Sequence, residues 1–233
     1  MTTKSRTKQT YEDLKQDLLA SKYLPGSKLK IDQLCDALGV SPGAVREALA
    51  RLTSDGLVVA EPQRGFVVAP VSAEDLIDLT EVRIEIETRC LRRAIKVGDL
   101  AWEGLILSSL HQLSHCPVKI ADGEARIMNP EWSRLHSAFH DNLIAACDST
   151  WWLRLRDQLY TQAERYRHLL VPFAKVERDV DAEHKALAEA AIARDADRAC
   201  DLLAKHLQMT ADVLLASEAP FADMPLGAPL PES

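Results

Sequence analysis

His136 and His140 stand four residues apart in a stretch, about 130–147, whose apolar residues recur at helical spacing. That spacing puts both imidazoles on one helix face, within reach of a single ion. His184 and His206 fall in the last two helical stretches, on faces shared with Leu187, Ala188 and Ala191 in one and Leu202, Leu203 and Leu207 in the other. Four neutral imidazoles meeting in a helical core would suit Zn²⁺ or Ni²⁺, whereas Mg²⁺ and Ca²⁺ want oxygen ligands. Spacing leaves a second reading open, in which His136 and His140 form a surface H-x-x-x-H and the other two are core-edge histidines. Catalysis has less support: no H-E-x-x-H is present, and four protein ligands leave little room for an activated water. A catalytic metal, as in a metalloenzyme, and a purely structural metal are both readings that these four residues leave open.

Arg83 lies between Val82 and Ile84 on an amphipathic stretch, about 73–97, marked by Leu76, Ile77, Leu79, Val82, Ile86, Cys90 and Leu91. A buried guanidinium needs a carboxylate, and Glu87, one turn later, can supply it. Arg165, Arg167 and Arg178 read as a solvated helix face, and Trp132, Trp151 and Trp152 as packing. Further helical patterns at about 100–114, 149–170, 175–193 and 195–217 complete a helical bundle, with no strand alternation of useful length.

The N-terminal third has a different grammar. Ile31, Leu34, Cys35 and Leu38 form one apolar stripe that ends at Gly39; Ser41 is then a good N-cap and Pro42 suits the first helical position. The second helix buries Val45, Ala48, Leu49 and Leu52 and turns Arg46, Glu47, Ala50 and Arg51 outward. After Asp55-Gly56, the β-rich runs Leu57 to Ala60 and Phe66 to Ala69 flank Glu61-Pro62-Gln63-Arg64-Gly65. Helix, tight turn, helix and hairpin in that order make a winged helix-turn-helix, which is expected to bind DNA. A winged helix used only for protein contacts is the other reading.

These residues resemble the GntR-type bacterial transcription regulators. The resemblance is carried by Pro25-Gly26-Ser27-Lys28-Leu29, Leu38-Gly39-Val40-Ser41, Val45-Arg46-Glu47-Ala48-Leu49, Leu52, Asp55-Gly56-Leu57 and Arg64-Gly65-Phe66. It implies that Arg46, Arg64 and Gly65 touch DNA, with Ser41 and Arg51 completing the expected interface. Pro42 and Asp32 stand where many relatives carry basic residues, so the operator is expected to differ from the family's common one. Residues 75–217 look like the all-helical effector-binding FCD domain of the FadR/VanR branch, through Arg83 and Glu87, Phe139-His140, Glu183-His184 and His206. That likeness implies a metal held by an aspartate and three histidines. His140, His184 and His206 match the histidines, and His136 stands at the usual aspartate. It also implies that Arg83 forks onto the carboxylate of a small organic acid, in a homodimer that reads a pseudo-palindromic operator, usually as a repressor.

The fold class expected is mainly α, a winged helix-turn-helix over 1–71 and an all-α ligand-binding bundle over 72–217. Residues 218–233, with four prolines and no periodicity, read as a disordered tail. The net charge of −7 hides an asymmetry: residues 1–70 hold 10 basic and 8 acidic side chains, and the other 163 hold 18 and 27. Phosphate attraction acts over about a Debye length of 8–10 Å, so a basic face on an acidic chain can still hold a duplex. With no apolar signal core and no run of about 20 apolar residues, the chain is expected in the cytoplasm. Its five widely spaced cysteines are expected as reduced thiols.

Overall fold

The computed structural model describes residues 6–122, 125–171 and 178–217. The described residues divide into two compact units, the first formed by residues up to Leu76 together with Thr161–Leu169, the second by Ile77–Tyr160 and the described residues from Leu170 to Ser217. The disordered tail expected at 218–233 lies outside the described residues.

The first unit runs α1 (Arg6–Leu19), β1 (Lys28–Leu29), α2 (Ile31–Leu38), α3 (Pro42–Ser54), β2 (Val58–Glu61) and β3 (Gly65–Val68). Its sheet has the order β1-β3-β2, all antiparallel, with Lys28 opposite Val67 and Val58 opposite Val68. Gly39 ends α2 in the left-handed conformation at φ 64°, where a side chain would be strained. Ser41 Oγ accepts the Ala44 N–H at 3.4 Å and starts α3 over Pro42. Both helices stand where the sequence pattern puts them. The unit expected over 1–71 also contains a helix that the sequence pattern had not singled out, α1, which packs on α3 and buries Tyr11, Leu14 and Leu18 among Leu34, Leu49, Leu52 and Leu57. Each fully buried leucine of this kind contributes about 1.5–3 kcal/mol. The Tyr11 hydroxyl donates to Asp55 Oδ2 at 2.6 Å, and burial together with that carboxylate pushes the phenol's pKa up.

Arg165 and Arg167 do not form a solvated face. Arg165 is 8 % exposed and donates to the carbonyl oxygens of Ala69 at 2.5 Å and Pro70 at 3.2 Å, just past the wing strand. One nitrogen, Nη2, satisfies both carbonyls, which a loop leaves over when its sheet ends, while Nη1 donates to Gln162 Oε1 at 2.8 Å. Gln162 Nε2 donates to the Asp55 carbonyl at 2.6 Å, and the Tyr166 hydroxyl, a donor to Asp75, accepts the Ser72 N–H at 3.2 Å. Arg167 is 6 % exposed and pairs with Glu164. His168, beside it, has its pKa pushed down to about 4 by burial and then by the Arg167 charge. Between about pH 6.5 and pH 4 the unfolded chain therefore binds a proton that the folded chain refuses, so stability rises with pH across that window. A thermal melt series on wild type and His168→Gln should show a shallower acid decline in the variant; parallel curves would contradict this.

The second unit contains the rest of α4 (Ala73–Val97), then α5 (Leu100–Ser114), β4 (Lys119–Asp122), β5 (Ala125–Met128), α6 (Pro130–Ile144), most of α7 (Thr150–Leu170), α8 (Val180–Ile192) and α9 (Ala196–Leu215). Asp99, Asn129, Asp179 and Asp195 each cap the helix that follows by accepting a backbone N–H. The core is made by Leu91, Ile106, Leu113, Phe139, Leu143, Leu187, Ala191 and Leu203, the apolar stripes of α4, α5, α6, α8 and α9. The β4-β5 hairpin, with Ile120 opposite Ile127, corrects the expectation of helix throughout. Two strands of four residues give too short an alternation to stand out between strong helical patterns. Trp132 is buried as expected, whereas Trp151 is 70 % exposed and is not packing. All five cysteines are free thiols, and among the described residues no helix is long and apolar enough to cross a membrane.

Candidate metal centre and nucleic-acid interface

Capped by Asn129 and started by Pro130, α6 presents His136 and His140 one turn apart, on the stripe that also carries Trp132, Leu135 and Phe139. His184 comes from the first turns of α8 and His206 from the middle of α9. All four are buried, His184 completely. Ring centroids stand 4.5 Å apart for His136 and His140, 5.5 Å for His140 and His184, and 4.8 Å for His184 and His206. One nitrogen from each lies within 4.8 Å of all the others. Four-coordinate zinc at about 2.0–2.1 Å from each nitrogen sets ligand atoms about 3.4 Å apart, so small side-chain rotations close the set around an ion. The reading with a surface pair is thereby excluded for this fold.

The groups behind the histidines fix which nitrogens face inward. His206 Nδ1 faces both Glu183 Oε2 at 2.9 Å and Arg178 Nη2 at 3.1 Å; the nearer carboxylate, which only accepts, favours the proton on Nδ1, and in that tautomer Nε2 keeps its lone pair. Arg178 holds this arrangement by donating to Glu183 Oε1 at 2.5 Å, the His206 carbonyl at 2.8 Å and Thr210 Oγ1 at 2.7 Å. Its side chain is only 10 % exposed, so it too is engaged by the protein rather than solvated. Burial alone raises the Glu183 carboxyl, but hydrogen bonds from His206 and Arg178 outweigh it and hold the group at about 2. On the far side the Tyr160 hydroxyl stands 3.4 Å from His136 Nδ1. His140 Nε2 is buried with no hydrogen-bond partner among the described residues, an orphan that a metal would satisfy. Burial, then the neighbouring His206 and His184, holds His140 well below the usual imidazole range, and burial also lowers His206. Neutral imidazoles are what a transition metal binds, so the donor set fits such an ion.

Arg83 donates through Nε at 2.9 Å and Nη2 at 2.6 Å to one oxygen of Glu87, a carboxylate that is 1 % exposed. The other oxygen is approached at 3.7 Å by Arg156 Nε. Arg156 was not singled out in the sequence, although its signal was there: it sits on the apolar stripe of α7 between Leu153 and Tyr160. It is 2 % exposed, pairs with Asp141 and lies over the Tyr160 ring at 4.2 Å from the centroid. Burial opposes charge on Glu87, but Arg83 first and Arg156 second keep the carboxylate ionised.

On the winged unit, Ser41, Arg46, Arg51, Arg64 and Gly65 are all exposed. Ser41 uses its hydroxyl as the α3 cap. Arg51 lays its guanidinium 4.0 Å from the centre of the Tyr11 ring, and Arg64 pairs with Glu61 at 2.7 Å while 70 % exposed. Gly65 has φ 82°, which turns the wing into β3. Arg46 makes no ion pair among the described residues.

Residues 6–68 match the model of the bacterial regulatory proteins of the gntR family, and residues 78–209 match the FCD domain. The chain is 37 % identical over 211 residues, 91 % of its length and 86 % of the other's, to the uncharacterized HTH-type transcriptional regulator BphR of Paraburkholderia xenovorans. It is 32 % identical over 201 residues, 84 % of its length and 90 % of the other's, to the HTH-type transcriptional repressor GlaR of Escherichia coli. Its fold resembles that of E. coli McbR/YncC with a TM-score of 0.74 at 23 % identity, over 91 % of this chain and 97 % of that one. A winged reading head, a helical domain with a buried four-histidine cluster and these likenesses agree: the chain belongs to the gntR family of bacterial regulatory proteins with an FCD domain, a DNA-binding transcriptional regulator and not an enzyme.

Proposed function

We propose that this regulator is a cytoplasmic homodimer that binds a pseudo-palindromic double-stranded operator, acts as a repressor and is controlled by a small organic acid bound at the histidine centre. The observation that carries this reading is the convergence of four buried histidines in the same unit as a buried Arg83–Glu87 pair. His136, His140, His184 and His206 hold a divalent transition metal, zinc or nickel best suited by the all-nitrogen donor set. Bound there, the ion supplies a Lewis-acidic point of attachment for a carboxylate oxygen. Arg83 supplies a planar fork that matches a carboxylate's geometry. Ser41, Arg46, Arg51, Arg64 and Gly65 form the DNA-facing surface, base contacts coming from α3 and backbone contacts from the wing. A ligand changes DNA affinity only to the extent that it binds one arrangement of the dimer better than another.

The salt bridge and the sensing role of Arg83 are compatible, because Arg156 keeps a cation near Glu87 when Arg83 is removed. Arg83→Ala should therefore fold and bind operator. Small carboxylates screened by thermal shift should raise the melting temperature of metal-loaded wild type. At a ligand concentration 100 times Kd the gain is about 2.7 kcal/mol. Metal-stripped protein and Arg83→Ala should show no shift. A carboxylate that stabilises all three equally contradicts the clamp, and turnover of any hit contradicts a pure sensor.

A further inference from the structure

Within the second unit, α5 is apolar on two opposite sides. Trp102, Ile106 and Leu113 build its buried side, yet the other side exposes Leu100, Leu105 and Leu107 at 83 %, 49 % and 54 %. Between those leucines run the small exposed residues Ala101, Gly104 and Ser108, so apolar ridges flank a shallow valley. Not one exposed position of α5 is an Asp, Glu, Lys or Arg. The exposed sides of α4 and α9 differ, with Asp78, Glu81 and Glu85 on the one and Asp197, Asp201 and Lys205 on the other. A helix that is apolar all round is ordinarily buried all round, and here the chain covers only half of it. The exposed Trp151 of α7 is no parallel, because the Arg154 guanidinium lies over its ring at 5.3 Å from the centroid. Gly104 adds a separate observation. A Cβ at this position would meet nothing within 4 Å, so no neighbour within the fold calls for glycine there. Glycine weakens a helix interior, and what it permits in return is a close approach from outside.

The charge pattern selects the occupant. A two-fold contact sets a surface against a copy of itself, so a charged helix face meets like charge while an uncharged one does not. With no ionic group to pair, the α5 face also offers nothing to a charged partner. What it complements is a face of the same kind, the leucine ridges of one helix seated in the valley of the other. We propose that the exposed face of α5 is where a second copy of this chain docks, the two α5 helices crossing at a two-fold axis beside Gly104 and Ser108. This rests on the dimeric reading above and adds the surface that makes the dimer. The exposed leucines lose their contact with water in that arrangement, which supplies the driving force, and the small residues let the two backbones come close enough for the ridges to pack.

The test is sedimentation equilibrium on the full-length protein, comparing wild type with Leu107→Glu and Gly104→Gln. Both positions are exposed in the single chain, so circular dichroism and a cooperative melt should be kept. Wild type should be a dimer. Leu107→Glu places two carboxylates in an apolar contact and should weaken the dimer by about a hundredfold or more. Gly104→Gln adds no charge and is the better helix former, yet its side chain fills the valley and should weaken the dimer by about tenfold or more. A dimeric wild type with both variants associating equally tightly would overturn the α5 surface and leave the dimeric reading standing. A wild type that stays monomeric at its highest soluble concentration would overturn both. A benzophenone side chain placed at Ser108 gives a second measurement that does not depend on the two variants folding. Irradiation should yield a covalent dimer whose cross-link falls within residues 100–112 of the second copy. A cross-link into another segment, residues 218–233 of the same chain included, would overturn the proposal.

Discussion

His140→Ala and His184→Ala are expected to lose the bound metal altogether, while wild type reconstituted with Zn²⁺ or Ni²⁺ holds about one ion per subunit. These two side chains are 3 % and 0 % exposed, and the ligand atoms of all four histidines already lie within 4.8 Å of one another. With the ligand atoms already this close, a metal bound there would favour the native state far over the unfolded chain and stabilise it by mass action. Free metal at 1,000 times Kd is worth about 4.1 kcal/mol. Stripping should accordingly lower the melting temperature of wild type and leave His140→Ala unchanged, a contrast that separates metal loss from a packing defect. His136→Asp should retain metal better than His136→Ala, since a carboxylate replaces one ligand with another. Elemental analysis that finds no metal in reconstituted wild type, or full occupancy in His140→Ala, contradicts the centre.

The second large effect is expected on DNA. Arg46 is exposed on the helix after the tight turn and is engaged in no ion pair among the described residues, so its fork is available for a base edge. Arg46→Ala should weaken operator binding by about 1–3 kcal/mol, roughly 5- to 150-fold. Arg64 behaves differently. Its partner Glu61 makes an exposed pair of little net value, so the guanidinium is easily released to a phosphate. Arg64→Ala should reduce affinity across sequences and lower the slope of log K against log salt by about one. Anisotropy titrations at several salt concentrations distinguish the two. Unchanged isotherms for both variants would remove these residues from the interface, and equal affinity for one half-site and two would contradict a dimeric reader.

The elements that position these residues were legible where hydrophobic periodicity was long and caps were explicit. The Gly39, Ser41 and Pro42 signals located the turn and the start of α3, and α4 to α9 follow stripes of about four turns or more. Legibility failed where pattern length or pairing decides. The two-residue β1 exists only because β3 offers it partners, and the β4-β5 hairpin is set by cross-strand pairing. The four histidines could be named from spacing, but their convergence depends on how α6, α8 and α9 pack, which spacing does not encode. The arginines were the hardest to place. Arg156, Arg165 and Arg178 are covered or engaged by carboxylates, carbonyls or hydroxyls distant in sequence, Arg167 is buried beside its near neighbour Glu164, and local sequence reads such residues as wet. In the sequence Glu183 is only the neighbour of His184, whereas in the fold its carboxylate lies 2.9 Å from His206 Nδ1.

The most direct measurement of the central claim is operator affinity by fluorescence anisotropy on metal-loaded wild type, metal-stripped wild type and Arg83→Ala, each with and without a carboxylate found by the thermal screen. The account predicts that the carboxylate changes the affinity of the metal-loaded wild type at least several-fold, as a coupling free energy of about 1–3 kcal/mol implies. Metal-stripped protein and Arg83→Ala should bind DNA without any response. A response of equal size in all three, or none in metal-loaded wild type saturated with a carboxylate that stabilises it, would contradict the histidine centre and Arg83 as the sensor that governs DNA binding.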